Sequence, residues 1–266
     1  MARLRATILG CGSSGGVPRI GNAWGACDPA EPRNTRRRCS LLIERLEGRQ
    51  VTRVLIDTTP DLRVQLLGAG IAELDGVVYT HAHADHVHGI DDLRVVAQNR
   101  GSRLPVWADA ETADTLITRF GYVFVQPPGS VYPPILDLRG IDDGPFEVGG
   151  PGGPVTFQPI RVQHGRTEAL GFRIGGLAYL PDVSDLPEAA WPLLAGLDTW
   201  ILDALRYRPH PTHVHLERSL EWIAQAAPRR AVLTNLHNDL DYATLAAEVP
   251  ANVIPAHDGL VLNFAS

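Results

Sequence analysis

The chain has 266 residues, 44% of them hydrophobic, enough to bury the core of a single α/β domain. Its formal net charge of −6 argues against the broadly basic face of a nucleic-acid binder, so extended nucleic acid is not an expected partner. Three scattered cysteines make no disulfide framework, and no apolar run approaches the ~20 residues of a membrane span. The expectation is a soluble cytoplasmic protein that makes no membrane contact.

Met1-Ala2-Arg3-Leu4-Arg5 leads into a strand at 4–9 without the apolar stretch of a signal peptide. Strands are also expected at 39–46 and 51–56, separated by Gly48 and preceded by a polar segment at 34–38. Arg36-Arg37-Arg38 in that segment reads as a solvated charge run, with phosphate contact as the alternative. Residues 61–67 have helical spacing, and Gly68 follows as a stop signal. A buried strand at 76–80 then feeds Thr80-His81-Ala82-His83-Ala84-Asp85-His86. A helix over 90–98, a strand over 104–108 and a helix over 110–120 complete this half.

Residues 126–154 break the pattern. Pro127-Pro128, Pro133-Pro134 and Gly149-Gly150-Pro151-Gly152-Gly153-Pro154 resist long helices and central strands, which predicts an ordered insertion bordering the site. It does not divide the chain, because candidate ligands fall on both sides of it. Strands at 155–162, 171–174, 177–180, 200–204, 230–234 and 253–255 then alternate with helices at 187–194, 216–226 and 242–248. That alternation predicts α/β architecture with a largely buried sheet.

Four of the ten histidines, His81, His83, His86 and His88, fall within eight positions. Imidazole and carboxylate together suit zinc, manganese or iron. Alternation along a strand lets His81 and His83 point the same way, while a helix starting near Asp85 turns Asp85 and His86 to a second point. Two metal ions follow from that geometry. A solvated histidine-rich loop would require neither this order nor the buried strand before it.

The H-x-H-x-D-H order resembles that of the metallo-β-lactamase superfamily. Thr7-Ile8-Leu9-Gly10-Cys11-Gly12-Ser13-Ser14-Gly15-Gly16-Val17-Pro18-Arg19 and Leu55-Ile56-Asp57-Thr58 resemble one branch of it. That branch holds the phosphoribosyl cyclic phosphodiesterases associated with carbon–phosphorus lyase (the PhnP-like group). Val162-Gln163-His164-Gly165, Leu180-Pro181-Asp182 and Leu233-Thr234-Asn235-Leu236-His237-Asn238-Asp239 follow in the expected order, so the resemblance covers nearly the whole chain.

The resemblance implies a single-domain αββα sandwich and two divalent metal ions, Zn2+ or Mn2+. One ion would be held by His81, His83 and His164, the other by Asp85, His86 and a histidine in the 234–238 turn, with Asp182 bridging. Many relatives place that last histidine directly after the threonine, where this chain has Asn235. His237 is therefore the expected ligand, since an amide is the poorer donor for zinc. His213, ahead of a helix and flanked by His210 and His215, aligns with the general acid of the branch and would approach the substrate. His257 either faces the cleft as a substrate contact or is a turn histidine. Asp57 either accepts a hydrogen bond from a ligand imidazole or is a strand-end turn carboxylate. Cys27 stands alone where some relatives have a cysteine cluster, so a structural zinc is not expected.

The expected activity is binuclear metal-dependent hydrolysis of a small phosphodiester, cyclic or linear, through a metal-bridging hydroxide that Asp85 helps to orient. A thioester or other carbonyl hydrolase, a tRNA-processing nuclease and a non-catalytic metal-binding module are the alternatives, and a homodimer is a possible assembly.

Overall fold

The computed structural model describes residues 3–264, so Met1 and Ala2 of the opening segment lie outside the described residues. Strands β1 (Arg3–Gly10), β2 (Ser40–Glu47) and β3 (Gln50–Ile56) form an antiparallel meander. Helix α1 (Leu62–Ala69) then returns the chain to β4 (Gly76–Val78), parallel to β3. The short α2 (Ala84–Val87), α3 (Leu93–Arg100), β5 (Leu104–Ala108), α4 (Ala110–Phe124) and β6 (Leu136–Gly140) follow. The second half holds β7 (Phe146–Val148), β8 (Val155–His164), β9 (Thr167–Ile174), β10 (Leu177–Leu180) and β11 (Thr199–Asp203). After these come α5 (Leu216–Ala226), β12 (Arg230–Thr234), α6 (Tyr242–Glu248), β13 (Val253–Pro255) and β14 (Val261–Phe264).

Two seven-stranded sheets result, ordered β14-β1-β2-β3-β4-β5-β6 and β13-β12-β11-β10-β9-β8-β7. Alternation along each strand sends one set of side chains between the sheets and the other outward. Leu41 and Ile43 face inward to meet Phe157, Phe172 and Ile201. Leu42, between them in sequence, faces outward against the residues that α1, α3 and α4 bury. Trp200 and Leu202 on the opposite outer face pack under Trp222 and Ile223 of α5. This is the expected αββα sandwich in one domain. Among the described residues no helix is long and apolar enough to cross a membrane.

The structure differs from the sequence reading in several places, among them residues 187–194, where the expected helix is a 3-10 helix over Glu188–Leu194 with Pro192 inside it. Gly68 does not end α1, which continues to Ala69 and stops at Gly70, where φ is +67°. The proline- and glycine-rich 126–154 segment contributes β6 and β7, an edge strand to each sheet. At an edge, one side of the strand needs no ladder partner, so the turn-forming residues around it are tolerated. Finally, β14 pairs with β1 although nothing in the sequence reading marked it as a strand.

The turn after α2 is tied to the loop after β3. Thr58 N–H donates to the His86 carbonyl at 2.8 Å, and Gly89 N–H donates to the Thr58 carbonyl at 2.9 Å. A Cβ at Gly89 would collide with the Thr59 carbonyl oxygen. Gly89→Ala should therefore cost about 1–3 kcal/mol of stability by overpacking. A urea unfolding midpoint identical to that of the parent chain would show that the loop yields freely.

Candidate metal centre

The C-terminal ends of strands from both sheets meet at one edge of the sandwich, the usual place for a site in an α/β fold. Asp57 follows β3, His81 follows β4, His164 ends β8, Asp182 follows β10, Asp203 ends β11 and Asn235 follows β12. His83 caps α2, whose first turn carries Asp85 and His86.

His83 Nδ1 lies 3.0 Å from His81 Nε2 and 3.1 Å from His164 Nε2. A ring nitrogen with one proton or one lone pair cannot satisfy both neighbours. Three imidazole nitrogens converging in this way fit a shared cation. Asp182 Oδ2 stands 3.7 Å from both His81 Nε2 and His164 Nε2, and the four donor atoms all lie within 4.8 Å of one another. Three nitrogens and an oxygen at this spacing form a donor set suited to a divalent transition metal.

The rear nitrogens of the His81 and His164 rings are held. Thr80 Oγ1 is 3.0 Å from His81 Nδ1, and His164 Nδ1 donates to the Thr212 carbonyl at 2.7 Å, which leaves its Nε2 lone pair for the centre. Burial pulls the His81 and His164 rings below the usual imidazole range, so both favour the neutral form that binds metal.

A second group adjoins the first. His86 Nε2 is 3.4 Å from Asp182 Oδ1 and 3.7 Å from Asp85 Oδ2. His86 Nδ1 donates to Asp57 Oδ2 at 2.7 Å, while Thr80 N–H and Oγ1 also donate to the Asp57 carboxylate, each at 2.8 Å. Those bonds hold Asp57 at φ +64°, an uncommon backbone conformation for a side-chain-bearing residue. Burial disfavours a charged His86, yet Asp182 and Asp57 outweigh it and push the ring well above its usual range. Burial likewise works against the Asp182 carboxylate, and His86 overrides it to hold the group well below the usual range. The cluster demands positive charge, which an ion would supply.

His213 stands beside these groups, its ring centroid 4.7 Å from that of His164. Its Nδ1 donates to Asp203 Oδ2 at 2.8 Å. Burial disfavours the imidazolium, but the Asp203 carboxylate outweighs it and pushes the ring up to about 9. Burial in turn raises Asp203, against the opposing pull of the His213 ring. The sequence reading passed over Asp203. It ends the apolar strand Trp200-Ile201-Leu202 as Asp57 ends Leu55-Ile56, and that pattern was the available signal.

The last expected ligand is corrected. Asn235, not His237, stands beside Asp182, with its Nδ2 3.3 Å from Asp182 Oδ1 and 3.1 Å from the Pro181 carbonyl. Asn235 adopts φ +59°, and Leu236 N–H is fixed to the Cys11 carbonyl at 2.8 Å. The turn thereby faces residue 235 inward and leaves the His237 ring against Asp239, at 3.0 Å. His257 contacts the Asp258 carbonyl and the Tyr242 ring, and none of its contacts among the described residues is with the cluster. Arg36, expected in a solvated charge run, is 2% exposed.

Fold and donor set together define a metal-dependent enzyme class, and the comparisons agree. A model of the beta-lactamase superfamily domain matches residues 52–235, and the chain belongs to the metallo-β-lactamase superfamily as a PhnP-like protein. A crystal structure of a new diphosphatase from the PhnP family is 38% identical with a TM-score of 0.89, covering 99% of this chain and 98% of that one. The octanoyltransferase of Porphyromonas gingivalis is 36% identical over 97% of this chain, which spans only 51% of that protein. Zn(2+)-bound PqqB from Methylobacterium extorquens shares the fold at 19% identity, TM-score 0.72, over 98% of this chain and all of that one.

Asp57→Asn retains a residue tolerant of positive φ and removes the charge that orients His86. Metal affinity should fall about 10–100-fold, measured by competition with a chelating dye. An unchanged affinity would mean that His86 needs no carboxylate behind it.

Proposed function

We propose that the protein is a binuclear metal-dependent phosphodiesterase acting on a small phosphate ester, cyclic or linear. The observation that carries this reading is the His213–Asp203 pair, a protonatable group beside the ligand cluster. An acid in that position serves a reaction whose leaving oxygen departs poorly without a proton. The similarity to a PhnP-family diphosphatase over almost the full length of both chains supports phosphorus as the centre attacked.

When bound, divalent ions would lower the pKa of water from ~15.7 towards ~7 and neutralise charge on the phosphoryl oxygens. His81, His83, His164 and Asp182 would hold one ion, and His86, Asp85 and the shared Asp182 the other. Asp85, partly exposed at the mouth, would also orient the attacking water. Asp203 keeps the proton on His213 Nδ1 and fixes the ring, so Nε2 is the atom that would protonate the leaving oxygen.

The relative named as an octanoyltransferase raises acyl transfer as a rival. This chain contains no lysine. Its three cysteines are buried, with burial pushing each thiol up, so none is poised as the covalent nucleophile that acyl transfer commonly uses.

His213→Ala should keep the parent's metal content and lose about 10²–10⁴-fold in rate on diesters with alkoxide leaving groups. The loss should shrink for a p-nitrophenyl phosphodiester, whose leaving group needs no proton. Equal losses on both substrates would overturn the acid role, and faster turnover of a thioester control than of any diester would overturn the phosphodiesterase reading.

A further inference from the structure

The two halves of the centre are built from different donors. The first gathers three imidazoles and one carboxylate oxygen. The second has a single imidazole, His86, with Asp85 and the other oxygen of Asp182. The position beside Asp182 Oδ1 where a further ligand could stand is filled by Asn235.

The orientation of that amide is fixed by its neighbours. The atom 3.1 Å from the Pro181 carbonyl oxygen must be the NH2 group, because a carbonyl only accepts. The same group lies 3.3 Å from Asp182 Oδ1, also an acceptor. His213 Nδ1 is 3.1 Å away, but its proton is directed to Asp203, so it offers Asn235 no lone pair. Both amide hydrogens are therefore committed to oxygen acceptors. Asn235 presents a hydrogen-bond donor to the centre where a ligand would present a lone pair. Its φ of +59° is one that asparagine adopts more readily than most residues.

We infer that the centre is unequal: the three-histidine half takes zinc tightly, and the His86 half takes a harder ion, manganese(II), that exchanges readily with solvent. Imidazole-rich sites favour zinc, whereas carboxylate and water favour manganese. The Asn235 N–H on Asp182 Oδ1 weakens the second half further, because it draws electron density from the oxygen that would face the second ion. Asn235 is thus a selectivity-determining residue for the metals. The inference rests on the metal-dependent reading above and specifies which ions it uses.

The test strips the full chain with chelator, reloads one portion with excess zinc and another with one equivalent of zinc followed by excess manganese, desalts each and counts metals by mass spectrometry. The parent chain should retain about one zinc and lose its manganese, with a bound-manganese paramagnetic resonance signal only while free Mn2+ is present. Asn235→His should raise retained zinc to about two. Two zinc ions retained by the parent, or one retained by Asn235→His, would overturn the inference. A parent chain that retains no zinc would instead sink the metal-dependent reading itself. Should Asn235→His fail to fold, timed chelator extraction of the zinc-saturated parent decides: two phases at least about tenfold apart support the unequal centre, and a single phase for both ions overturns it.

Discussion

Asp182 lies at the C-terminal end of β10 with 4% of its surface exposed. An uncompensated carboxylate there would be strongly destabilising, since burial of an unpaired charge costs several kcal/mol. It is tolerated because imidazoles approach both oxygens, His86 on one and His81 and His164 on the other. Neighbouring groups at this edge keep those rings in place. Thr80, Asp57 and the Thr212 carbonyl each hold a rear nitrogen, and each sits just beyond a strand or in a loop fixed by one.

The sandwich makes that convergence possible. Each sheet joins an antiparallel half to a parallel half, and the parallel strands β3–β6 and β10–β13 deliver their C-terminal ends to the same edge. Trp107 of β5 stacks on Phe146 of β7 across the two sheets with ring centroids 6.2 Å apart, and Phe146 stacks in turn at 5.4 Å on Phe157, its neighbour within the second sheet. A rigid interior of this kind can hold donor atoms at a spacing that flexible loops alone would blur.

Legibility in the sequence followed locality. Adjacent candidate ligands on one strand–helix junction, His81 to His86, were readable because their spacing encodes their directions. His164 and Asp182 were readable as polar residues closing apolar strands, and the same logic would have reached Asp203. The 234–238 turn was not readable. Its outcome depends on a single positive φ at Asn235 and on the Cys11 carbonyl, contributed from more than two hundred residues away. Chemistry favoured imidazole over amide, but backbone geometry decided which side chain faced inward. Similarly, β6 and β7 could not be found by composition, because an edge strand tolerates residues that a central one rejects.

Arg36 shows what holds that turn. Among the described residues no carboxylate lies against its buried guanidinium, and its Nε finds no partner. NH1 donates to the His237 carbonyl at 3.2 Å, and NH2 donates to the Leu240 carbonyl at 2.7 Å and to Asn34 Oδ1 at 3.1 Å. Cys27, the solitary thiol of the neighbourhood, lies 3.9 Å from NH1 and 3.5 Å from the Leu240 carbonyl. A cation surrounded by carbonyl oxygens draws separate loops together much as a structural ion would, without needing a set of cysteine ligands. Residues 236–240 are thus tethered from one side by Arg36 and from the other by the Cys11 carbonyl. Asn235, immediately before the tethered stretch, has little freedom to rotate away, so the donor it presents to Asp182 is a property of the fold as much as of the side chain.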